Sequence, residues 1–215
     1  MRYLLLLGLS VVLALSGCAP VTPVMRDENA TRGAIYGDSY TLGTGTTDPS
    51  QRWSTIICAE RGWHEFNSSV NGLGFVNNRA TDGERDLPAL VIADDPDIVF
   101  ITMGLNKNFS YDRAADQIRL RITEDFTYLQ AELPDARFVV VELFWYTDYR
   151  PESVALIIGW VRDAAAEIGA DYISGASHWI GGHPGWMASD GLHPDDEGYT
   201  TMEGRMDTAL VELGL

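Results

Sequence analysis

The chain has 215 residues, a length that suits one domain and is short for two. Hydrophobic residues make up 46% and charged residues 21%, as in a globular protein and not in a disordered chain. The formal net charge of −16 argues against nucleic-acid binding, which needs basic patches, and disfavours anionic membrane surfaces and anionic substrates. We therefore expect no nucleic-acid partner and a neutral substrate.

The N-terminal segment differs in character from the rest of the chain. Arg2 precedes an apolar run, Tyr3 to Leu15, that is interrupted by one glycine and one serine. The run is too short to cross a bilayer of about 30 Å comfortably, but it has the length of a signal-peptide core. We therefore predict a signal peptide over residues 1–17.

A cysteine follows this run in the segment Leu15-Ser16-Gly17-Cys18, which resembles the lipobox of bacterial lipoproteins. The resemblance implies that Cys18 is lipidated and becomes the first mature residue, so that residues 18–32 tether a domain of residues 33–215. We expect an exported cell-envelope lipoprotein whose attachment to the membrane is the lipid on Cys18 alone. The alternative is a soluble-secretion signal in which Cys18 has no role.

From residue 33 onward, short apolar runs alternate with longer amphipathic segments. In chain order the pattern predicts a strand ending at Ala34–Gly37, a helix at Gln51–Glu60, a strand at Trp63–Asn67, a short helix at Leu87–Ala93, a strand at Asp97–Met103, a helix at Tyr111–Leu133, a strand at Arg137–Phe144, a helix at Glu152–Ile168, a strand at Ala170–Ser174 and a last helix at about Pro194–Leu213. Continuously apolar strands are typical of a parallel sheet covered by helices on both faces. Ligands of such sheets bind at the carboxyl ends of the strands.

A serine follows the first predicted strand in the segment Gly37-Asp38-Ser39. A serine at a strand-to-helix turn can present its hydroxyl at the top of the sheet while its own N–H points at a nearby oxyanion. The same tripeptide is also a good turn or helix cap. Ser39 is therefore a candidate nucleophile that needs support from other residues.

That support comes from Asp190-Gly191-Leu192-His193, immediately before the last predicted helix. A carboxylate three residues before an imidazole, with a glycine between them, can fold back to accept the proton on Nδ1. The other ring nitrogen, Nε2, is then available to take a hydroxyl proton. The alternative is a helix-capping loop with an exposed His193.

Two further segments carry candidate donors for a developing oxyanion. Asn106 follows the most apolar strand in Gly104-Leu105-Asn106, and its side-chain amide can donate a hydrogen bond. Gly72 lies in Asn71-Gly72-Leu73-Gly74, where exposed glycine N–H groups can do the same. Each segment taken alone is compatible with a simple turn.

Together these segments resemble the blocks of the SGNH/GDSL hydrolase family, in the same order and over roughly residues 33–213. The resemblance implies a flavodoxin-like three-layer α/β/α fold with a five-stranded parallel sheet, and a serine esterase that needs no cofactor or metal. It implies Ser39 as nucleophile, His193 as general base and Asp190 as its orienter. The oxyanion hole would consist of the Ser39 N–H, the Gly72 N–H and Asn106.

The sequence departs from the family pattern at one position. The third block usually reads Gly-x-Asn-Asp, and Lys107 stands here in place of the final aspartate. Lys107 either faces the substrate, where a cation would help to bind an acidic group, or lies on the surface as a solvated loop residue. We favour the solvated position.

Other classes of hydrolase fit the sequence less well. His178 and His183 precede His193, but their spacing does not provide a pair of metal ligands on one helix. We instead expect these histidines in a loop near the site, with Trp179 and Trp186 either as pocket walls or in the core. Threonine two residues after Ser39 departs from the Gly-x-Ser-x-Gly elbow of α/β-hydrolases.

Cys58 lies in an apolar stretch and is expected to be a small core residue and not a nucleophile. A separate alternative is an inactive domain of the same fold that binds cell-envelope glycan, which retention of Ser39, Asp190 and His193 disfavours. For an active enzyme, the small size favours short acyl or acetyl esters of carbohydrates or small molecules.

Overall fold

The computed structural model describes residues 29–77 and 86–215. Its strands are β1 (Arg32–Gly37), β2 (His64–Asn67), β3 (Ile98–Thr102), β4 (Arg137–Val141) and β5 (Asp171–Ile173). Its α-helices are α1 (Ser39–Leu42), α2 (Trp53–Arg61), α3 (Leu87–Asp94), α4 (Leu105–Asn108), α5 (Tyr111–Glu132), α6 (Glu152–Glu167) and α7 (Asp196–Glu212). The predicted signal peptide, Cys18 and most of the predicted tether lie outside the described residues.

The five strands form one parallel sheet in the order β2-β1-β3-β4-β5. This is the strand order of flavodoxin-like folds, whose ligands bind where the order reverses, next to the carboxyl ends of the first and third strands. In this chain β1 ends at Gly37 and β3 ends at Thr102 in the same register. The predicted fold class is therefore confirmed, and Ser39 and Asn106 follow the two strands at the reversal point.

The sheet is buried because helices cover both of its faces. Helices α2 and α7 pack together on one side, and α5 packs against α3 and α6 on the other. Every residue of β3 is buried, as the apolar sequence of this strand predicts. Helix α5 faces this core with Ile118, Ile122, Phe126 and Leu129, which recur at helical spacing and are fully buried.

The predicted strands and helices are all present, with small differences at their ends. The fourth strand ends at Val141 and not at Phe144, because its neighbour β5 is only three residues long and pairs with residues 139–141. Residues 143–145 remain buried beyond the strand, so their apolar character reflects packing and not sheet pairing. Among the described residues, no helix is long and apolar enough to span a membrane.

Candidate active site

Ser39 begins the short helix α1 directly after β1, so the chain turns at the carboxyl edge of the sheet. Asp38 is the N-cap of this helix, and its carboxylate accepts a hydrogen bond of 3.1 Å from the Tyr40 N–H. Gly37 has no room for a side chain, because a Cβ there would overlap the hydroxyls of Thr41 and Thr102. These two threonines are hydrogen-bonded to each other at 2.6 Å. The glycine therefore allows α1 to lie against β3.

The Asp38 carboxyl is almost fully enclosed by protein. Burial raises its pKa from 3.8 to about 7, and the hydrogen bond from the Tyr40 N–H opposes this rise. A carboxyl in this environment is poorly suited to remain charged in the folded protein. We therefore interpret Asp38 as a structural cap of helix α1.

Asp190 and His193 form the predicted pair. The Asp190 Oδ2 lies 2.7 Å from the His193 Nδ1, and its Oδ1 accepts the N–H groups of Leu192 at 2.9 Å and His193 at 3.0 Å. The side-chain hydrogen bond to His193, followed by these backbone bonds, lowers the pKa of Asp190 to about 2. An ionised carboxylate can only accept, so the Nδ1 carries the proton and the Nε2 is left as an acceptor.

Two tyrosines hold this loop and helix α7 against helix α1 and the residues that follow it. The Tyr40 hydroxyl donates to the carbonyl of Leu192, and the rings of Tyr40 and His193 lie 5.9 Å apart. From α7, the Tyr199 hydroxyl donates to the carbonyl of Thr44 at 3.0 Å. His193 therefore lies against the residue that follows Ser39. No direct hydrogen bond joins Ser39 and His193 within the described part of the chain, and such bonds commonly tighten only when substrate is bound.

Asn106 and Gly72 also meet at this edge of the sheet. The Asn106 Nδ2 donates to the carbonyl of Leu73 at 2.9 Å and lies 3.4 Å from the Asp38 Oδ2. Gly72 has a φ of +68°, and its carbonyl accepts a hydrogen bond of 2.6 Å from the Asn77 Nδ2. The Asn106 amide thus anchors the Gly72 segment through the carbonyl of Leu73, and its second contact among the described residues is the long one with Asp38.

The prediction that Lys107 is exposed to solvent was wrong. Lys107 is not a solvated loop residue, because its side chain has no solvent exposure. The ammonium group contacts the side-chain oxygen of Asn77, and the stem lies against Gly74. The residue is buried because the segment from Gly72 to Asn77 passes over it, which the spacing of the motifs does not reveal.

A cleft of about 380 Å³ opens beside the Asp190–His193 loop, and its lining includes Tyr146, Asp148 and His183. The His183 ring stacks on Trp186, with ring centroids 3.7 Å apart. Trp179 is buried instead and packs against Phe144, with ring centroids 5.8 Å apart. Of the two tryptophans, Trp179 thus belongs to the core and Trp186 supports a cleft residue.

Two other sequence predictions concern cysteine and metal chemistry. Cys58 is buried, as predicted, and burial raises the pKa of its thiol to about 12. No group of three or more potential metal-ligating side chains occurs in residues 29–77 and 86–215. His178 is exposed at the end of a short 3₁₀ helix.

Sequence reasoning did not identify Asn77, Tyr40 or Tyr199 as parts of the site. Asn77 lies five residues after Gly72 and has no motif of its own. Tyr40 directly follows Ser39, and this position could have been used to predict its contact with the His193 loop. Tyr199 lies one turn inside α7 on its buried face. An aromatic residue at such a position is expected in the core, and this expectation does not reveal its hydrogen bond to Thr44.

The sequence profile of the GDSL-like Lipase/Acylhydrolase family matches residues 35–201, which include all of the site residues described above. The chain is 24% identical over 211 residues to GDSL lipase Rv0518 of Mycobacterium tuberculosis, covering 91% of this chain and 87% of that protein. It is 25% identical over 187 residues to Esterase TesA of Pseudomonas aeruginosa, covering 85% of this chain and 89% of that protein.

Comparison of folds agrees with the sequence match. A crystal structure of TesA superposes with a TM-score of 0.69 at 22% identity, covering 84% of this chain and 98% of that one. The described sheet order and the family match over most of the chain lead to the same assignment. The protein belongs to the GDSL-like lipase/acylhydrolase family and is a carboxylic ester hydrolase of the SGNH type.

Proposed function

We propose that the protein cleaves carboxylic esters through a Ser39–His193–Asp190 triad and an acyl-enzyme intermediate. The observation that carries this proposal is the 2.7 Å pair of Asp190 and His193, which Tyr40 holds against the helix that begins with Ser39. The pair defines the tautomer of the imidazole, and the ring of His193 lies 5.9 Å from that of Tyr40, the residue that follows Ser39. Serine activation requires an imidazole of this tautomer within reach of the hydroxyl, which supports the proposal.

The proposed reaction begins when His193 Nε2 takes the hydroxyl proton as Ser39 Oγ attacks the ester carbonyl. The Ser39 N–H, the Gly72 N–H and the Asn106 amide stabilise the tetrahedral oxyanion. Its collapse breaks the bond to the alcohol, which receives the proton from His193. Water, deprotonated by His193, then attacks the acyl-enzyme and releases the carboxylic acid and the serine hydroxyl.

We propose short acyl or acetyl esters of a neutral small molecule or carbohydrate as the substrates. The cleft of about 380 Å³ next to the Asp190–His193 loop lies at the small end of the usual range for ligand sites. The Asp148 carboxylate in its wall and the net charge of −16 both disfavour an anionic group.

Release of p-nitrophenol from its acetate, butyrate and decanoate esters tests the reaction and the chain length. We expect the wild-type protein to prefer acetate or butyrate and the Ser39→Ala variant to lose nearly all activity while keeping the wild-type circular dichroism spectrum. A fluorescent phosphonate should label the wild-type protein on Ser39 and leave the variant unlabelled. Equal rates for the two proteins would refute the triad, and equal rates at the uncatalysed background would favour a glycan-binding domain without activity.

We further propose that the protein is an exported lipoprotein of the cell envelope, attached to the membrane through Cys18. Support comes from the apolar run that precedes Leu15-Ser16-Gly17-Cys18. Expression of the full chain in a bacterium that processes lipoproteins, with an alkyne-labelled fatty acid in the medium, tests this. The wild-type protein should carry the label in the membrane fraction, and the Cys18→Ser variant should not. Labelling of both variants would contradict the anchor.

A further inference from the structure

Lys107 is the only lysine in the sequence, and it is fully buried beside Asn106. Removing an ammonium group from water is costly unless hydrogen bonds replace the lost hydration. A surface loop at this position would leave the lysine in solvent at no such cost. We therefore examined which neighbouring groups the buried ammonium contacts and holds in place.

The ammonium group of Lys107 donates to the side-chain oxygen of Asn77. The nitrogen of the same amide donates to the carbonyl of Gly72 at 2.6 Å, and the Asn77 carbonyl accepts the N–H of Gly74 at 3.1 Å. Because an ammonium can only donate, it requires Asn77 to present its oxygen and thus to turn its nitrogen towards Gly72. The charge on Lys107 therefore determines which way this amide points.

The stem of the lysine makes a second contact with the same segment. A Cβ at Gly74 would overlap the Lys107 Cε, so the backbone at Gly74 lies directly against the side chain. The adjacent Asn106 also holds this segment, through the carbonyl of Leu73. Two consecutive residues of α4 thus fix the segment from Gly72 to Asn77.

We propose that Lys107 is a positioning residue for the oxyanion hole, acting through Asn77 on Gly72. The inference rests on the proposed function, in which the Gly72 N–H stabilises the oxyanion. Lys107 does not touch the reacting atoms. It keeps Gly72 in place relative to Ser39 and Asn106.

The test compares wild type with Lys107→Met, which retains most of the stem and removes the ammonium. Loss of a whole oxyanion donor costs about 10²–10³-fold in rate, so displacement of the Gly72 N–H should lower kcat by about 10- to 100-fold. The KM for p-nitrophenyl acetate should change by less than about threefold, because the contact strengthens in the transition state. Affinity for an alkyl boronic acid, which forms a tetrahedral anion on the serine, should fall in parallel with kcat.

Two further variants separate positioning from a general loss of stability. Leu129→Ala removes a fully buried side chain of α5 far along the chain from the site and should lower the unfolding midpoint while keeping kcat within about twofold. Lys107→Gln keeps a neutral donor on a shorter stem and should recover part of the lost kcat. If Lys107→Met retains the wild-type kcat and boronate affinity, the positioning role is wrong.

A double-mutant cycle tests the route through Asn77. Asn77→Ala should lower kcat about as much as Lys107→Met, and the double variant should be no worse than either, because the two residues act as one unit. Independent, multiplying losses would refute the route. These outcomes are separate from failure of the proposed function, which would appear as equal activity of wild type and Ser39→Ala.

Discussion

Replacing Asp38 by asparagine should make the protein more stable at neutral pH, although Asp38 lies next to Ser39, the proposed nucleophile. The carboxyl is buried, and its pKa is raised from 3.8 to about 7 because burial penalises the charged form. Asparagine has nearly the same shape and is an equally good N-cap, so the hydrogen bond from the Tyr40 N–H is retained. The substitution therefore removes the ionisation and gives up one further contact, the long one of 3.4 Å between the Asp38 Oδ2 and the Asn106 amide.

The sign and size of the effect follow from proton binding. Between about pH 4 and pH 7 the folded protein holds a proton on Asp38 that the unfolded chain has released, so the free energy of unfolding falls as the pH rises through this window. A pKa difference between 3.8 and about 7 corresponds to about 4 kcal/mol at pH values above 7. Asp38→Asn should lack this fall and should gain up to about that amount at pH 8 relative to wild type.

Urea unfolding followed by tryptophan fluorescence, at pH values from about 4 to 8, measures the difference between the two proteins directly. Asp135→Asn is the matched control, since Asp135 is exposed and its replacement removes the same formal charge. The control curve should run parallel to wild type. If the curve of Asp38→Asn also runs parallel to wild type across this window, Asp38 is ionised at no cost and the account of its burial is wrong.

Three further predictions concern individual side chains. Asn106→Ala should lower kcat by about 10²–10³-fold with the fold intact, and a loss of less than threefold would remove Asn106 from the oxyanion hole. Asp190→Asn should lower kcat by about 10⁴-fold, because the amide no longer fixes the imidazole tautomer. An unchanged kcat would exclude Asp190 as the residue that orients His193. In a Cys18→Ser background, Cys58 should react with Ellman's reagent about 10³-fold more slowly in the folded protein than in urea, and fast native labelling would contradict its raised pKa.

The sheet was predictable because the sequences of its central strands are themselves typical of buried strands. The run Ile98–Thr102 is apolar and β-branched throughout, and every one of its residues is buried as expected. The positions of Ser39 and Asn106 were predictable for a related reason, since each lies in the short helix that follows a strand and the two strands end side by side at one edge. Asp190 and His193 are three residues apart, so a local turn is enough to pair them. Each of these inferences needs only local sequence and the geometry of a parallel sheet.

The burial of Lys107 could not be predicted from the short segment of sequence around it. Lys107 contacts the segment from Gly72 to Asn77, which follows β2, and Asn77 precedes Lys107 by 30 residues in the sequence. A lysine in a short helix usually points to solvent, and local patterns contain no signal to the contrary. The role of Asn77 is likewise set by its partners and not by its position in a motif. Such contacts become visible only when the two segments are placed together.

Two carboxyl groups of the proposed site, those of Asp38 and Asp190, have pKa values that their surroundings shift in opposite directions. Asp38 is adjacent to Ser39 in sequence, yet burial raises its pKa to about 7 and its oxygens face Tyr40 and Asn106. Asp190 is distant in sequence, yet its hydrogen bonds to the His193 loop lower its pKa to about 2. In the proposed mechanism His193 accepts the serine proton, and only a carboxylate that stays charged can stabilise the imidazolium that forms. The two environments therefore fit a structural cap for Asp38 and, under that proposal, an orienting charge for Asp190.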